Sequence, residues 1–210
     1  MRFFAAVLVL CVCGFAAEQV GPAPALPDSV PATIRAALEA KGYRVLADGA
    51  PLADLWLRTS LPTQPAAEQG NVLYPELQPG TFVGVLAFPK GGADFRGQPI
   101  PAGYYALRYE LLPEDGNHMG VAPNRDFLLL VPVAADPGPA TQVKYDDLIK
   151  LSAKASGTSH PATMAMMPPS ASPQPSATTN ADEYVVFSAN MKTSSGELPF
   201  SLVVKGQAAQ

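Results

Sequence analysis

The stretch "GYYALRYELL", Gly103–Leu112, decides the fold. Its residues alternate with a period of two. Tyr105, Leu107, Tyr109 and Leu111 face one way, and Tyr104, Ala106, Arg108 and Glu110 the other, as the pleat of a β-strand requires. The chain enters this strand through the proline–glycine turn "PIPAG" and leaves it into the polar loop "PEDGNHMGVAPNRDF", Pro113–Phe127.

The flanking segments predict more strands than helices. "TFVGVLAF" (Thr81–Phe88) follows Pro79-Gly80 and is apolar on both faces, as a central strand is. "DFLLLVPV" (Asp126–Val133) is a second buried run, with Pro132 placing its end at an edge or bulge. Asp48-Gly49, inside "YRVLADGAPLADLWLR", is a tight-turn pair between two apolar runs and predicts a hairpin. On its second strand Leu55 and Leu57 alternate with Asp54, Trp56 and Arg58. "ATMAMM" predicts another strand, and "EYVVFSANM" with "LPFSLVVK" a final hairpin.

Two segments carry helical spacing. "SVPATIRAALEAKG" offers Ser29 as a cap, Pro31 in the first turn and Gly42 at the end. "KYDDLIKLSAKASG" places Tyr145, Leu148, Ile149 and Ser152 on one face, with Asp146 and Asp147 early and Lys154 late. Strands follow strands without β-α-β alternation. The expectation is a mainly β protein: an antiparallel β-sandwich, jelly-roll-like, with one or two short helices.

The first residues, "MRFFAAVLVLCVCGFAAEQ", read as a secretory signal peptide over residues 1–17: Arg2, a short apolar run, then small residues before cleavage at Ala16 or Ala17. The run falls short of the ~20 apolar residues that span a bilayer, so no transmembrane segment is expected in the mature chain. Lipid anchoring ranks below simple export, because Leu10 and Val12, not small residues, precede Cys11 and Cys13. Those are the chain's 2 cysteines, so the mature chain uses no disulfide, thiol nucleophile or thiolate-bound metal. Residues 18–32, rich in proline, read as a tether; 33–210 form a single domain, interrupted by a flexible Pro/Ser-rich loop at 168–181.

Charge is sparse, 15% of residues, and the net is −4. An average domain has about 25% charged residues. No Lys/Arg cluster is present, so the long-range attraction that gathers nucleic acid is missing and no nucleic-acid partner is expected.

"PAGYYALRYELLPEDGNHMG" with "NRDFLLLVP" and "KASGTSHPA" resembles the texture of a group of exported bacterial proteins of unknown function. That resemblance, over about Tyr43 to Met167, implies a secreted β-rich domain and no particular catalysis.

Candidate chemistry concentrates in two places. The loop after the deciding strand brings together Asp115, Asn117, His118, Arg125 and Asp126 between two rigid strands, where function is commonly carried. Asp115 orienting His118 as a base, with Arg125 holding a carboxylate, is the functional reading; ordinary turn chemistry is the competing one, and it ranks first. "TSHPATMAMM" adds His160 beside Met164, Met166 and Met167. Imidazole and thioether suit Cu(I), with His118, Met119, His160 and Met164 as the ligand set. Strand geometry argues against it: Met164 and Met166 point one way and Met167 the other. No cofactor is therefore predicted, copper being the exception to test.

No G-x-S-x-G, H-E-x-x-H, P-loop, EF-hand or dinucleotide motif occurs. A glycosidase pair would come from Glu110 with Glu114 or Asp126. Trp56 and Tyr104 are aromatics among polar neighbours; they either stack on sugars or lie half-buried under a helix, and the second ranks first. The leading expectation is an exported, non-enzymatic binding or structural module of the cell envelope, periplasmic or extracellular, with a protein or glycan partner. A carbohydrate-binding or carbohydrate-active domain and a His/Met copper-handling protein are the alternatives.

Overall fold

The computed structural model describes residues 18–66, 70–113, 124–170 and 175–208. Along the chain run β1 (Gln19–Pro22), α1 (Ala32–Arg35), β2 (Tyr43–Ala47), β3 (Ala50–Leu57), β4 (Phe82–Phe88), β5 (Gly92–Ala93) and β6 (Pro99–Ile100). There follow β7 (Gly103–Leu111), β8 (Asp126–Pro132), α2 (Tyr145–Ser156), β9 (Thr163–Met167), β10 (Ser176–Thr179), β11 (Val185–Thr193) and β12 (Gly196–Lys205).

The protein is mainly β and antiparallel, as expected, with two helices among the described residues. Its layering differs from the expected sandwich. Ten strands form one continuous sheet in the order β1-β2-β3-β4-β7-β8-β9-β12-β11-β10, and the jelly-roll-like pair of facing sheets is not shown. The sheet curls until its two edges, β1 and β10, touch, and Thr179 Oγ1 donates to Glu18 Oε1 across that seam at 2.6 Å. The result is a nearly closed barrel, which shelters the unpaired edges that an open sheet would expose.

Alternation in β7 explains why the barrel is filled. Tyr105, Leu107 and Tyr109 point inward and pack with Leu55, Leu57, Leu86, Leu128, Met164, Met166, Phe187, Phe200 and Leu202. Each such side chain stabilises the fold by roughly 1.5–3 kcal/mol on burial. The other face of the same strands is also buried. Trp56, Phe82, Val85, Ala106, Leu129 and Val131 pack under Ile34 of α1 and Leu148 of α2. Trp56 is 1% exposed and lies 6.1 Å from the half-buried Tyr104 ring, so the covered reading of these two aromatics is the observed one.

Local geometry follows the turn chemistry. Asp48 and Gly49 both adopt positive φ (52° and 74°), the twisted two-residue turn that suits a hairpin. Gly84 sits where β4 crosses β3 so closely that a Cβ would meet the Trp56 carbonyl oxygen at 2.4 Å. The β4–β7 register shifts between Phe82 and Gly84, so this glycine also carries a bulge. α2 ends at Gly157, whose left-handed φ of 68° closes the helix as its sequence predicts.

Three expectations are corrected. The 18–32 segment is not a free tether: Gln19–Pro22 pairs with β2, and Val30 is fully buried. Its prolines fit because a sheet edge needs no donor on the open side. The first helix covers only Ala32–Arg35, and Ser29 makes no cap; Pro31 occupies that position. Its continuation is drawn into the sheet, where Glu39 N–H donates to Leu57 O at 2.8 Å and Thr59 N–H to Ala37 O at 2.9 Å. Within the loop expected at 168–181, Ser176–Thr179 forms β10 against β11; residues 171–174 lie outside the described residues.

Candidate functional site

Of the polar loop that drew the sequence reading, Asp115, Asn117, His118, Met119 and Glu114 lie outside the described residues. Its end, Asn124–Asp126, is described. Asp126 opens β8 and is 2% exposed. Its Oδ1 accepts Tyr109 O–H at 2.7 Å and Tyr74 N–H at 3.0 Å, and its Oδ2 accepts Leu73 N–H at 2.7 Å. Tyr74 in turn donates its O–H to Met167 O at 2.7 Å and accepts Ser201 N–H at 3.0 Å. Asn124 Nδ2 donates to Met166 O at 2.8 Å. One carboxylate thus ties the 70–80 segment, β7 and β8 at one end of the barrel, and Tyr74 extends the tie to β9 and β12. Burial, reinforced by the hydrogen bond and charge of Asp126, pushes the Tyr109 phenol far above its ordinary pKa. Burial does the same for Tyr74. These phenols are donors, not acids.

Arg125 is half-buried and directs its Nε–H to Leu112 O at 2.9 Å, while Leu112 N–H returns a bond to Arg125 O at 2.8 Å. That exchange pins the base of the loop. Asp126 and Glu110 do not straddle a cleft. The register pairs Asp126 with Leu111 and Phe127 with Glu110. Paired residues share a face, so Asp126 points inward and Glu110 outward. The Glu110–Asp126 glycosidase pair is therefore overturned by strand register. Glu110 is 4% exposed, accepts Leu111 N–H at 3.0 Å, and is pushed above the usual carboxylate range by burial.

The outer face of β7 holds a group that sequence reasoning left unassigned. Arg108 is fully buried and all five of its donors are used. Nε and Nη2 grip Asp136 at 2.8 and 2.7 Å; Nη1 reaches Gly80 O and Thr141 O at 3.0 and 2.8 Å; Nη2 also reaches Gly138 O at 2.8 Å. Its guanidinium lies 5.6 Å from the Phe82 ring centroid, in cation–π range. This clamp fastens the turn before β4 and the 136–141 loop to the sheet. The signal was present: an arginine in the middle of a strand flanked by apolar strands needs a carboxylate, and Asp136 follows the next strand. Elsewhere on the sheet, Arg44 grips Asp54 with Nε and Nη2, both at 2.7 Å.

His160 and Met164 do not meet as a ligand pair. His160 is exposed, in a turn where its N–H donates to Thr158 Oγ1 at 3.0 Å and its carbonyl accepts Ser156 O–H at 2.9 Å. Met164 is 2% exposed and packs in the barrel interior with Met166. Met167 lies on the opposite face against Phe95, Val186 and Val203, as strand alternation requires. Among the described residues no group of three or more His, Cys, Asp or Glu is placed to hold a metal. Near His160 an open groove of about 580 Å³ runs along Lys90–Gly92, Pro99–Ala102 and Ser156. Its shape admits a ligand from solvent and buries little of it.

Asp94 shows the same pattern as Asp126. It is fully buried and accepts Arg96 and Gln98 N–H, the Gln98 side-chain amide, and Thr163 N–H, at 2.8 to 3.1 Å. Asp94, Asp126 and Asp136 thus hold connections in place. No protein-family model matches the chain, and neither a curated protein nor a solved structure gives a significant match.

Proposed function

We propose that this chain is an exported, non-enzymatic binding or structural module of the cell envelope, periplasmic or extracellular, whose partner is a protein or a glycan. One observation supports the reading most: the interior is filled by side chains, and Asp94, Asp126, Arg108 and Asp136 spend their hydrogen bonds on the protein's own backbone and side chains. Such groups brace a scaffold, and recognition then falls to its surface. Export is supported by the signal-like 1–17 segment. Cleavage at Ala16 or Ala17 leaves β1 whole, because that strand starts at Gln19. Among the described residues no helix is long and apolar enough to cross a membrane.

The test is a glycan array probed with the chain from residue 18 onward, paired with product analysis on every glycan that binds. Saturable binding without turnover, to a glycan or to an envelope protein found by crosslinking, supports the proposal. Turnover that disappears in Glu110→Gln overturns it in favour of a carbohydrate-active enzyme.

A further inference from the structure

Three arginines stand on the outer face of β2, β3 and β7, and two of them set the pattern for the third. Arg44 and Arg108 each present the Nε–Nη2 edge to an aspartate, with all four distances between 2.7 and 2.8 Å. Arg108 turns its Nη1 to backbone carbonyls. Arg58, one residue past β3, does the same: Nη1 donates to Phe82 O at 3.2 Å. Its Nε–Nη2 edge has no acceptor, and no carboxylate lies in ion-pair range, among the described residues. Asn190 Oδ1 is the single buried side-chain polar atom lacking a partner among those residues, so the Arg58 edge is in reach of solvent.

We infer that Arg58 is a recognition point for a carboxylate, gripping an aspartate or glutamate side chain of a partner protein through Nε and Nη2. The geometry favours that chemistry because the same edge, on the same face, already takes two aspartates. A planar fork matches a carboxylate at two points. The guanidinium is half-buried and its Nη1 is anchored, so little freedom is lost on binding. Burial and the neighbouring Arg108 charge also hold its pKa below the ordinary arginine value. The cation is therefore under-compensated where it stands, and an arriving anion relieves that. This inference rests on the binding-module reading and names the chemistry of its partner.

The experiment follows the arginine Nε–H resonances by NMR in the chain from residue 18 onward, at constant ionic strength. A capped peptide carrying one glutamate is titrated, then its glutamine counterpart, glucuronate and inorganic phosphate. The expected result is a saturable shift of the Arg58 signal with the glutamate peptide only, while exposed Arg96 moves no more than with chloride. Arg58→Lys keeps the charge, loses the two-point grip, and weakens binding about tenfold, read in parent and variant alike at the backbone amide of residue 58. No saturable shift, an equal response at Arg96, or a stronger response to glucuronate or phosphate would overturn the inference. A glycan-array ligand found alongside such a failure would leave the binding-module reading standing without Arg58.

Discussion

Replacing Arg108 with methionine perturbs the most buried charge of the barrel. The substitution keeps an unbranched apolar stem against Phe82 and removes all five donors. Asp136, whose side chain is 0% exposed, then keeps only the Gly138 N–H at 2.8 Å. The carbonyls of Gly80, Thr141 and Gly138 each lose a partner as well. Breaking a buried ion pair from one side costs about 3–5 kcal/mol, because a charge is left without compensation. At a urea dependence of roughly 2–3 kcal/mol/M that is a fall of roughly 1–2.5 M in the unfolding midpoint. The double variant Arg108→Met/Asp136→Leu removes both charges and regains most of the loss, ending within about 2 kcal/mol of the parent, since only neutral backbone groups stay unpaired. Urea unfolding followed by tryptophan fluorescence reads all three, since Trp56 is the chain's 1 tryptophan and is buried on the same face. A single variant losing less than about 1 kcal/mol, or a double variant no more stable than the single, refutes the reasoning.

Other substitutions probe the remaining ties. Tyr109→Phe removes one charge-assisted bond to Asp126 and is expected to cost about 1.5–3 kcal/mol in urea unfolding. Gly84→Ala drives a methyl into the Trp56 carbonyl and is expected to cost 2 kcal/mol or more, roughly the scale of other overpacking changes, with a lower Tm. Glu110 has a raised folded-state pKa, so its contribution to stability is fully present below its ordinary value of 4.5 and is lost as pH rises through the folded pKa. Glu110→Gln is accordingly expected to be more stable than the parent at neutral pH, with the gap closing near pH 4 in a thermal-melt series.

The sequence made the strands of the barrel legible wherever one physical signal dominated. Alternation in Tyr104–Leu111 named both faces of β7 correctly, and Asp48-Gly49 named its hairpin. Closure was hidden. β1 and β10 are four residues each and carry few large apolar side chains; they form because neighbouring strands offer an edge, which is a tertiary effect. The second covered face was hidden too. Arg108 looks solvent-facing in a strand, and the return of the 136–141 segment over the sheet helps to bury it. Asp126 was found as polar and conspicuous, but its role depended on Tyr74 and Leu73, more than fifty residues away in sequence. The methionine face assignment held, because strand alternation needs no partner to specify it.

The most direct test of the claim that these polar groups are structural ties is native-state hydrogen exchange at Leu73 and Tyr74. Both amides donate to Asp126, at 2.7 and 3.0 Å. Both are expected to exchange only through global unfolding, with the same opening free energy as the buried amides of β7 and β8. Exchange through a local opening several kcal/mol below the global value would mean that Asp126 is released in the native state and is free for chemistry, not a structural tie.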